Sequence, residues 1–477
     1  MITVLIPVAV LLLVILWKKL PLIGGNVQAA LIIAGVLSLL MGGVFSASEW
    51  VHAFIDGLDR LAWIIFLSIF GAIYAETQSR LGVIDTIMGA LKARFGKRPR
   101  ILVVSIILVL VLAGSLLGDA IAAGTVIGVL TVGTLASMGL SGEVICCLIV
   151  MGASMGSIMP PITQSLALAS SLVGTDPDPV LRIGYLTSSI VVVLMCIYVI
   201  AAFIKRDMRM DKPVTGILED VSHKYDGMTA SQILRSNWKA LIPLAVLIVI
   251  VVLRTLNIGG ATFDLGPTIL KNIVHTNADG ITGDLYTWLT SVTILKGLSN
   301  GIVLSLLIVT IIACCFKKLR SELGSVVTSG MSKVKTTVGI QVCAAFMLGA
   351  FYAGGQIDTV SEFAMGLNSH VLKFGGAGAM MLIGMLTGSQ STTQNAVFSF
   401  FGPALVKTGL NPTYVAVAGA NLAAAGQGMP PADLTTFVVA GIVAGMLGKK
   451  VDPLKSMILM IPMCLCFFAI GMIFLYI

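Results

Sequence analysis

The sequence predicts an all-α polytopic membrane protein made of two inverted repeats, each with a re-entrant hairpin and a transmembrane helix broken at Pro-Pro. Three observations carry this. Of the 477 residues, 57% are hydrophobic and only 11% charged, with a mean hydropathy of +1.02, whereas soluble domains carry about 25% charged residues. The interval from Gly118 to Pro160-Pro161 recurs from Gly388 to Pro430-Pro431, every position displaced by the same amount, with a Gly-Leu turn inside each (Gly139-Leu140, Gly409-Leu410). Lys and Arg gather in short stretches between apolar runs. Paired interruptions at matching places in two halves of a membrane chain point to a transporter's binding site.

Apolar windows of roughly 20 residues, the length that crosses a bilayer, recur along the chain. Residues 2–17 lack a basic start and a small-residue cleavage site, so they read as a retained helix rather than a signal peptide. Basic clusters at Lys18-Lys19 and at 92–100, 205–239, 317–335 and 449–455 are assigned to the cytoplasm; 46–60, 174–182, 257–290 and 353–370, poorer in Lys and Arg, are assigned outside. The net charge of +8 is thus a topology signal and does not imply nucleic acid.

Parity then orders the elements. Single crossings fall at 3–17, 27–45, 61–73, 144–173, 183–204, 240–256, 292–316, 336–352, 414–447 and 457–477, which requires hairpins at 101–137 and 372–407. The first opens to the cytoplasm and the second to the outside, so the repeats are inverted. The resulting division is N-terminal helices over 1–60, a first repeat over 61–204, a cytoplasmic linker over 205–239, connecting scaffold helices over 240–335, a second repeat over 336–447 and a last helix over 448–477. Both termini are expected outside. A further echo, Gly82-Val-Ile-Asp-Thr86 against Gly355-Gln-Ile-Asp-Thr359, recurs in a slightly longer register.

The hairpins have a local reason too. Gly114, Gly118 and Gly124 crowd the middle of the first, and the second carries the polar run Thr387-Gly-Ser-Gln-Ser-Thr-Thr-Gln-Asn395, which a lipid-facing helix would not tolerate. The tips are expected at 118–125 and 389–395. Such breaks offer helix N-termini to carboxylates, and carbonyl and hydroxyl oxygens to Na⁺. The candidate site comprises Gly118, Asp119 and Thr125 at the first tip, with Ser154, Ser157, Pro160 and Thr163 at the first break. The second tip supplies Ser389, Ser391, Thr392 and Asn395, and the second break Asn421, Gln427, Pro430 and Asp433. Gly118, Asp119, Ser389 and Asn395 are the candidate Na⁺ ligands.

Asp119 and Asp433 are each open to two readings. An intramembrane carboxylate is by default an ion ligand or proton carrier, yet Asp is also a strong helix N-cap, and one oxygen at a broken helix serves both roles. Glu76, Glu143 and Asp358 fall near interfaces, where a solvated carboxylate suffices. The eight cysteines lack metal-ligand spacing and read as packing, and the four histidines are dispersed. No nucleophile set, phosphate loop or metal motif appears, so an enzyme is not expected and neither is a cofactor beyond a coupling ion, Na⁺ or H⁺.

The Gly57-Leu-Asp59 start of a helix, the 114–125 break, Met155-Gly-Ser-Ile-Met-Pro-Pro161 and the asparagine-to-Pro-Pro stretch at 421–431 resemble the ion transporter superfamily. The resemblance is strongest to the large membrane subunit of tripartite ATP-independent periplasmic (TRAP) transporters, the DctM-like family, and covers nearly the whole chain. It implies an elevator-type, Na⁺-coupled importer of organic acids such as C4-dicarboxylates in a bacterial cytoplasmic (inner) membrane. Asp119 and its Ala and Ile neighbours depart from the small hydroxyl residues usual at that family's first tip. Expected partners are a small organic acid, membrane lipid and a second copy of the chain, and by the resemblance a small membrane subunit and an extracytoplasmic binding protein. Two alternatives remain: a stand-alone Na⁺- or proton-coupled organic anion permease of the gluconate or citrate type, and an uncoupled channel or scaffold subunit.

Overall fold

A computed structural model describes residues 2–17, 19–21, 23–95, 98–204, 227–255, 257–258, 261–262, 264–276, 282–366 and 368–477. Residues 205–226 of the expected linker, and Lys18 and Lys97 of the basic clusters, lie outside the described residues.

The first half runs α1 (Ile2–Leu16), α2 (Val27–Met41), the long α3 (Ala47–Leu81), α4 (Val83–Phe95), a hairpin of α5 (Pro99–Leu117), α6 (Ala120–Val126) and α7 (Gly128–Ser137), a broken helix of α8 (Gly142–Ile158) and α9 (Gln164–Val173), and α10 (Pro177–Ala202). The second half opens with α11 (Ala230–Thr255). A further segment follows, with two short strand pairs (Asn257–Ile258 with Ala261–Thr262, Val274–Thr276 with Thr282–Asp284), α12 (Leu265–Lys271), α13 (Leu285–Ser291) and a 3₁₀ turn (Leu295–Ser299).

The series then resumes with α14 (Gly301–Cys314), α15 (Lys317–Arg320), the long α16 (Leu323–Ala353) and α17 (Gln356–Met365). The second hairpin is α18 (Ser369–Thr387), α19 (Gln390–Thr393), a π-helical turn (Gln394–Phe398) and α20 (Ser399–Lys407). The second broken helix is α21 (Pro412–Gln427) with α22 (Leu434–Leu447), and α23 (Pro453–Tyr476) closes the chain.

Each half therefore has two helices, a long unbroken helix, a short helix, a hairpin, a broken helix and a last helix. Five of these cross and the hairpin returns. An odd number of crossings starts the second half on the opposite face, which makes the repeats inverted. Among the described residues six helices are long and apolar enough to span a bilayer by length and composition, and seven shorter apolar helices join them. The 19-residue arms α5 and α18 meet that length criterion, yet each stops against a Pro-Pro break and turns back, so length alone would miscount them.

Residues 60 and 335 are not element boundaries. The stretch 46–60, expected as an outer loop, is the first part of α3, and 323–335 is the first part of α16. The reason is tertiary. Helix α3 lies along α16, and a Cβ at Gly57 would land on the carbonyl oxygen of Ala345, so the polar first part of α3 is held helical by backbone-to-backbone packing. On the other side of the crossing Gly330, which follows Gly57 by the interval that separates Gly82 from Gly355, meets Ile73 in the same manner, with an added Cβ 3.0 Å from the Ile73 Cα. The segment expected as the start of a helix at Gly57 is thus a packing point inside one.

At the C-terminal end of α3 Arg80 pairs with Glu76 at 2.8 Å and with Glu322 at 2.6 Å, and Lys318 Nζ donates to the Arg80 carbonyl. At the opposite end Lys407 pairs with Asp358, and Lys296 with Asp59.

Candidate functional site

Within the tips expected at 118–125 and 389–395, each helix break is confined to two residues, Gly118-Asp119 and Gly388-Ser389. Gly118 (φ 66) and Gly388 (φ 62) take the left-handed conformation that ends α5 and α18, which glycine adopts without a Cβ penalty. Asp119 (φ −140, ψ 127) and Ser389 (φ −145, ψ 125) follow in the same extended conformation and cap the return helices. The Asp119 carboxylate accepts from Ala122 N at 2.7 Å and Ser389 Oγ from Thr392 N at 3.3 Å. The remaining polar run of the second tip is helical from Gln390 onward, with the π turn at Gln394–Phe398.

The tips dock on the breaks because glycines allow it. A Cβ on Gly114 would stand 2.8 Å from the Gly156 Cα, and one on Gly384 would stand 2.6 Å from the Gly426 Cα. These two pairs occupy equivalent positions of the repeated interval. The first arm also accepts Ile162 N at the Ser115 carbonyl, 3.0 Å. Gly114 and Gly124, read from sequence as part of the turn, lie inside α5 and α6 and act in packing. Both Pro160-Pro161 and Pro430-Pro431 bonds are cis. Beyond them Thr163 caps α9, accepting from Leu166 N at 3.4 Å. Asp433 caps α22, accepting from Thr435 N at 3.1 Å, Thr436 N at 3.2 Å and Thr436 Oγ1 at 2.5 Å.

Between the tips lies a cavity of about 90 Å³. Its walls are Gly118, Asp119, Ala120 and Ile121 from the first tip and Gly388, Ser389, Gln390 and Ser391 from the second. The breaks contribute Ser157, Gln164, Ser165 and Leu168, and Gln427, Leu434 and Thr435; the long helix α16 contributes Gln341. The halves are stitched across it: Gln390 Nε2 donates to Ser157 Oγ at 3.3 Å and Gln394 Nε2 to Ser165 Oγ at 2.7 Å. The starts of α9 and α22 border the space; Asp433 already caps Thr435 N and Thr436 N of α22 with a carboxylate, whereas α9 is capped by the neutral Thr163 and keeps the positive end of its dipole toward the space. None of these wall residues is basic, and Asp119 is the one carboxylate among them.

Of the residues singled out from sequence, Gly118, Asp119, Ser157, Ser389, Ser391 and Gln427 meet in this cavity. The others stand behind it. Thr125 turns back to the Ile121 carbonyl at 2.8 Å, Thr392 and Thr163 are buried, and Pro160 packs toward Gly184 of α10. Pro430 is half-buried at the second break, and Asp433, fully buried, makes the caps described above. Ser154, Asn395 and Asn421 are buried, with Ser154 Oγ, Asn395 Nδ2 and Asn421 Oδ1 lacking a hydrogen-bond partner among the described residues; Asn421 Nδ2 donates to the Val417 carbonyl.

Sequence reading missed Gln164, Ser165, Gln341 and Gln390. Three of these lie within two residues of ones it did single out. Gln341 sits in an unbroken apolar helix, and its only sequence signal was an amide within that apolar run.

No family model matches the chain, and no curated protein matches it. Among solved structures it is similar over 97% of its length to MtrF of Neisseria gonorrhoeae (TM-score 0.65, 15% identity, 96% of that chain), which is described as illuminating a class of antimetabolite efflux pumps. It is likewise similar over 94% of its length to the YdaH transporter of Alcanivorax borkumensis (TM-score 0.62, 14% identity, 97% of that chain), described as having an unusual topology. Neither is described as a TRAP membrane subunit, and the likeness drawn from sequence is corrected accordingly. At this identity the agreement is one of fold: the chain is an all-α, multi-pass membrane protein with the architecture of these two solved transporters.

Proposed function

We propose that the protein is a secondary active transporter of a carboxylate-bearing organic acid, coupled to a cation. The observation that carries this is a cavity in which both hairpin tips and both Pro-Pro breaks meet, walled by hydroxyls, amides, the start of α9 and the Asp119 carboxylate. Helix N-termini attract the carboxylate of a solute. Asp119 repels it unless a cation or a proton is bound as well, which ties the two together.

Na⁺ is the first choice of cation, held by oxygens at the tips around Gly118, Asp119, Ser389 and Asn395, and H⁺ on Asp119 is the second. The hairpins and broken helices move as one body against α3 and α16 in an elevator motion. A cytoplasmic membrane with both termini outside fits the basic clusters. A dimer would anchor the long helices.

Purified protein in proteoliposomes tests this: accumulation of a radiolabelled organic acid against its gradient is expected when an inward Na⁺ or proton gradient is imposed. Equilibration without accumulation under every gradient would leave the channel reading. Uptake that needs an added binding protein and small subunit favours the TRAP-like form, and uptake without them the stand-alone permease. Export is a second reading, favoured by the likeness to MtrF, a protein described among efflux pumps. Loading the vesicles and measuring exit under an inward cation gradient separates the two directions.

A further inference from the structure

Ser68 of α3 and Gln341 of α16 are 273 residues apart and touch: Gln341 Nε2 donates to Ser68 Oγ at 2.8 Å. The same interval separates the turns at Gly82 and Gly355 that end these two helices, so the pair occupies equivalent positions of the two repeats where α3 and α16 cross. Gln341 is 3% exposed, its Oε1 has no hydrogen-bond partner among the described residues, and the residue forms part of the cavity wall. A buried carbonyl oxygen left unpaired costs roughly 1–3 kcal/mol, a cost that a donor arriving with the ligand would remove. The other wall residues belong to the hairpins and broken helices; Gln341 alone comes from an unbroken helix.

We infer that Gln341 contacts the transported solute and that its Oε1 accepts a hydrogen bond from a hydroxyl or N–H group carried beside the carboxylate. Ser68 is a positioning residue: by accepting from Nε2 it holds the amide with the oxygen free. The solute class is therefore a hydroxy or amino acid rather than a plain carboxylic acid. A site built around such a bond rejects the analogue lacking the donor, because binding that analogue leaves Oε1 buried and unpaired. Since α16 stands apart from the moving body, this contact is made only while the hairpins occupy the position seen here. The inference rests on the carboxylate reading above.

The test is binding of matched acids to the purified full chain by calorimetry, with Na⁺ present: malate against succinate, and lactate against propionate. Wild-type protein is expected to prefer the hydroxy member by roughly tenfold or more. Gln341→Met, which keeps the length of the side chain without its polar atoms, is expected to erase the preference while succinate still binds. Ser68→Ala is expected to reduce the preference, a ratio that a merely structural loss would leave unchanged.

Wild-type protein that binds neither member of any pair overturns the carboxylate reading and this inference together. Equal binding of both members, or a wild-type ratio in Gln341→Met, overturns the inference alone and leaves that reading standing. If Gln341→Met does not fold, the wild-type and Ser68→Ala ratios decide: no preference in the first, or an unchanged one in the second, overturns it.

Discussion

The indole N–H of Trp63 donates to Ser171 Oγ across 2.6 Å, joining the unbroken helix α3 to the second half of the first broken helix. If the hairpins and broken helices travel against α3, this bond must break in every cycle. One hydrogen bond contributes about 0.5–1.5 kcal/mol net. Trp63→Phe keeps an aromatic ring and removes the donor, and it is expected to raise the transport rate roughly two- to tenfold, the factor corresponding to that energy, with solute Kd unchanged. Flux and binding measured on the same preparation check this; an unaltered rate would mean that the bond is retained throughout the cycle.

Asp119→Asn keeps an oxygen to cap α6, because Asn and Asp are comparable N-caps, but removes the charge from the cavity. Uptake is expected to lose its cation dependence while the thermal midpoint stays within a few degrees of wild type. Asn395→Ala at the π turn is expected to weaken cation-dependent uptake in a protein that still folds. Wild-type Na⁺ and pH dependence in both variants would exclude them from the coupling site.

Asp433 offers the contrasting case. It is fully buried and its carboxylate accepts from Thr435 N and Thr436 N, so its charge serves the start of α22. Asp433→Ala is expected to lower stability by about 0.5–2 kcal/mol, the usual loss on removing a cap, and Asp433→Asn to be closer to neutral. Thermal unfolding of the two variants in detergent separates a cap from an ion ligand, since a ligand would show its loss in cation affinity.

Gly156→Ala and Gly426→Ala each place a methyl against backbone, 2.5 Å from the Val111 oxygen in the first and 2.7 Å from the Met381 oxygen in the second. Backbone cannot yield as a side chain does, and overpacking typically costs about 1–3 kcal/mol. Both variants are expected to lose stability and transport. Gly441→Ala, where nothing lies within 4 Å of the added atom, is the neutral control, and monodispersity and melting temperature are the readouts.

The repeated glycine-to-Pro-Pro interval and the alternation of basic stretches made the fold class readable from sequence, because each is imposed by local chemistry. Proline and glycine interrupt helices wherever they stand, and lipid excludes unpaired backbone and charge. Those same rules located Gly118, Asp119, Ser157, Ser389, Ser391 and Gln427 around one break or another. They could not say that Gly114 and Gly124 serve close approach rather than a turn, that 46–60 continues α3, or that Thr125 turns away from the cavity. Those outcomes depend on which backbone lies opposite. Gln341 shows the limit most plainly: as a lone amide in an apolar helix it has no local role, and only the crossing of α16 with α3 gives it Ser68 as a partner and a place on the cavity wall.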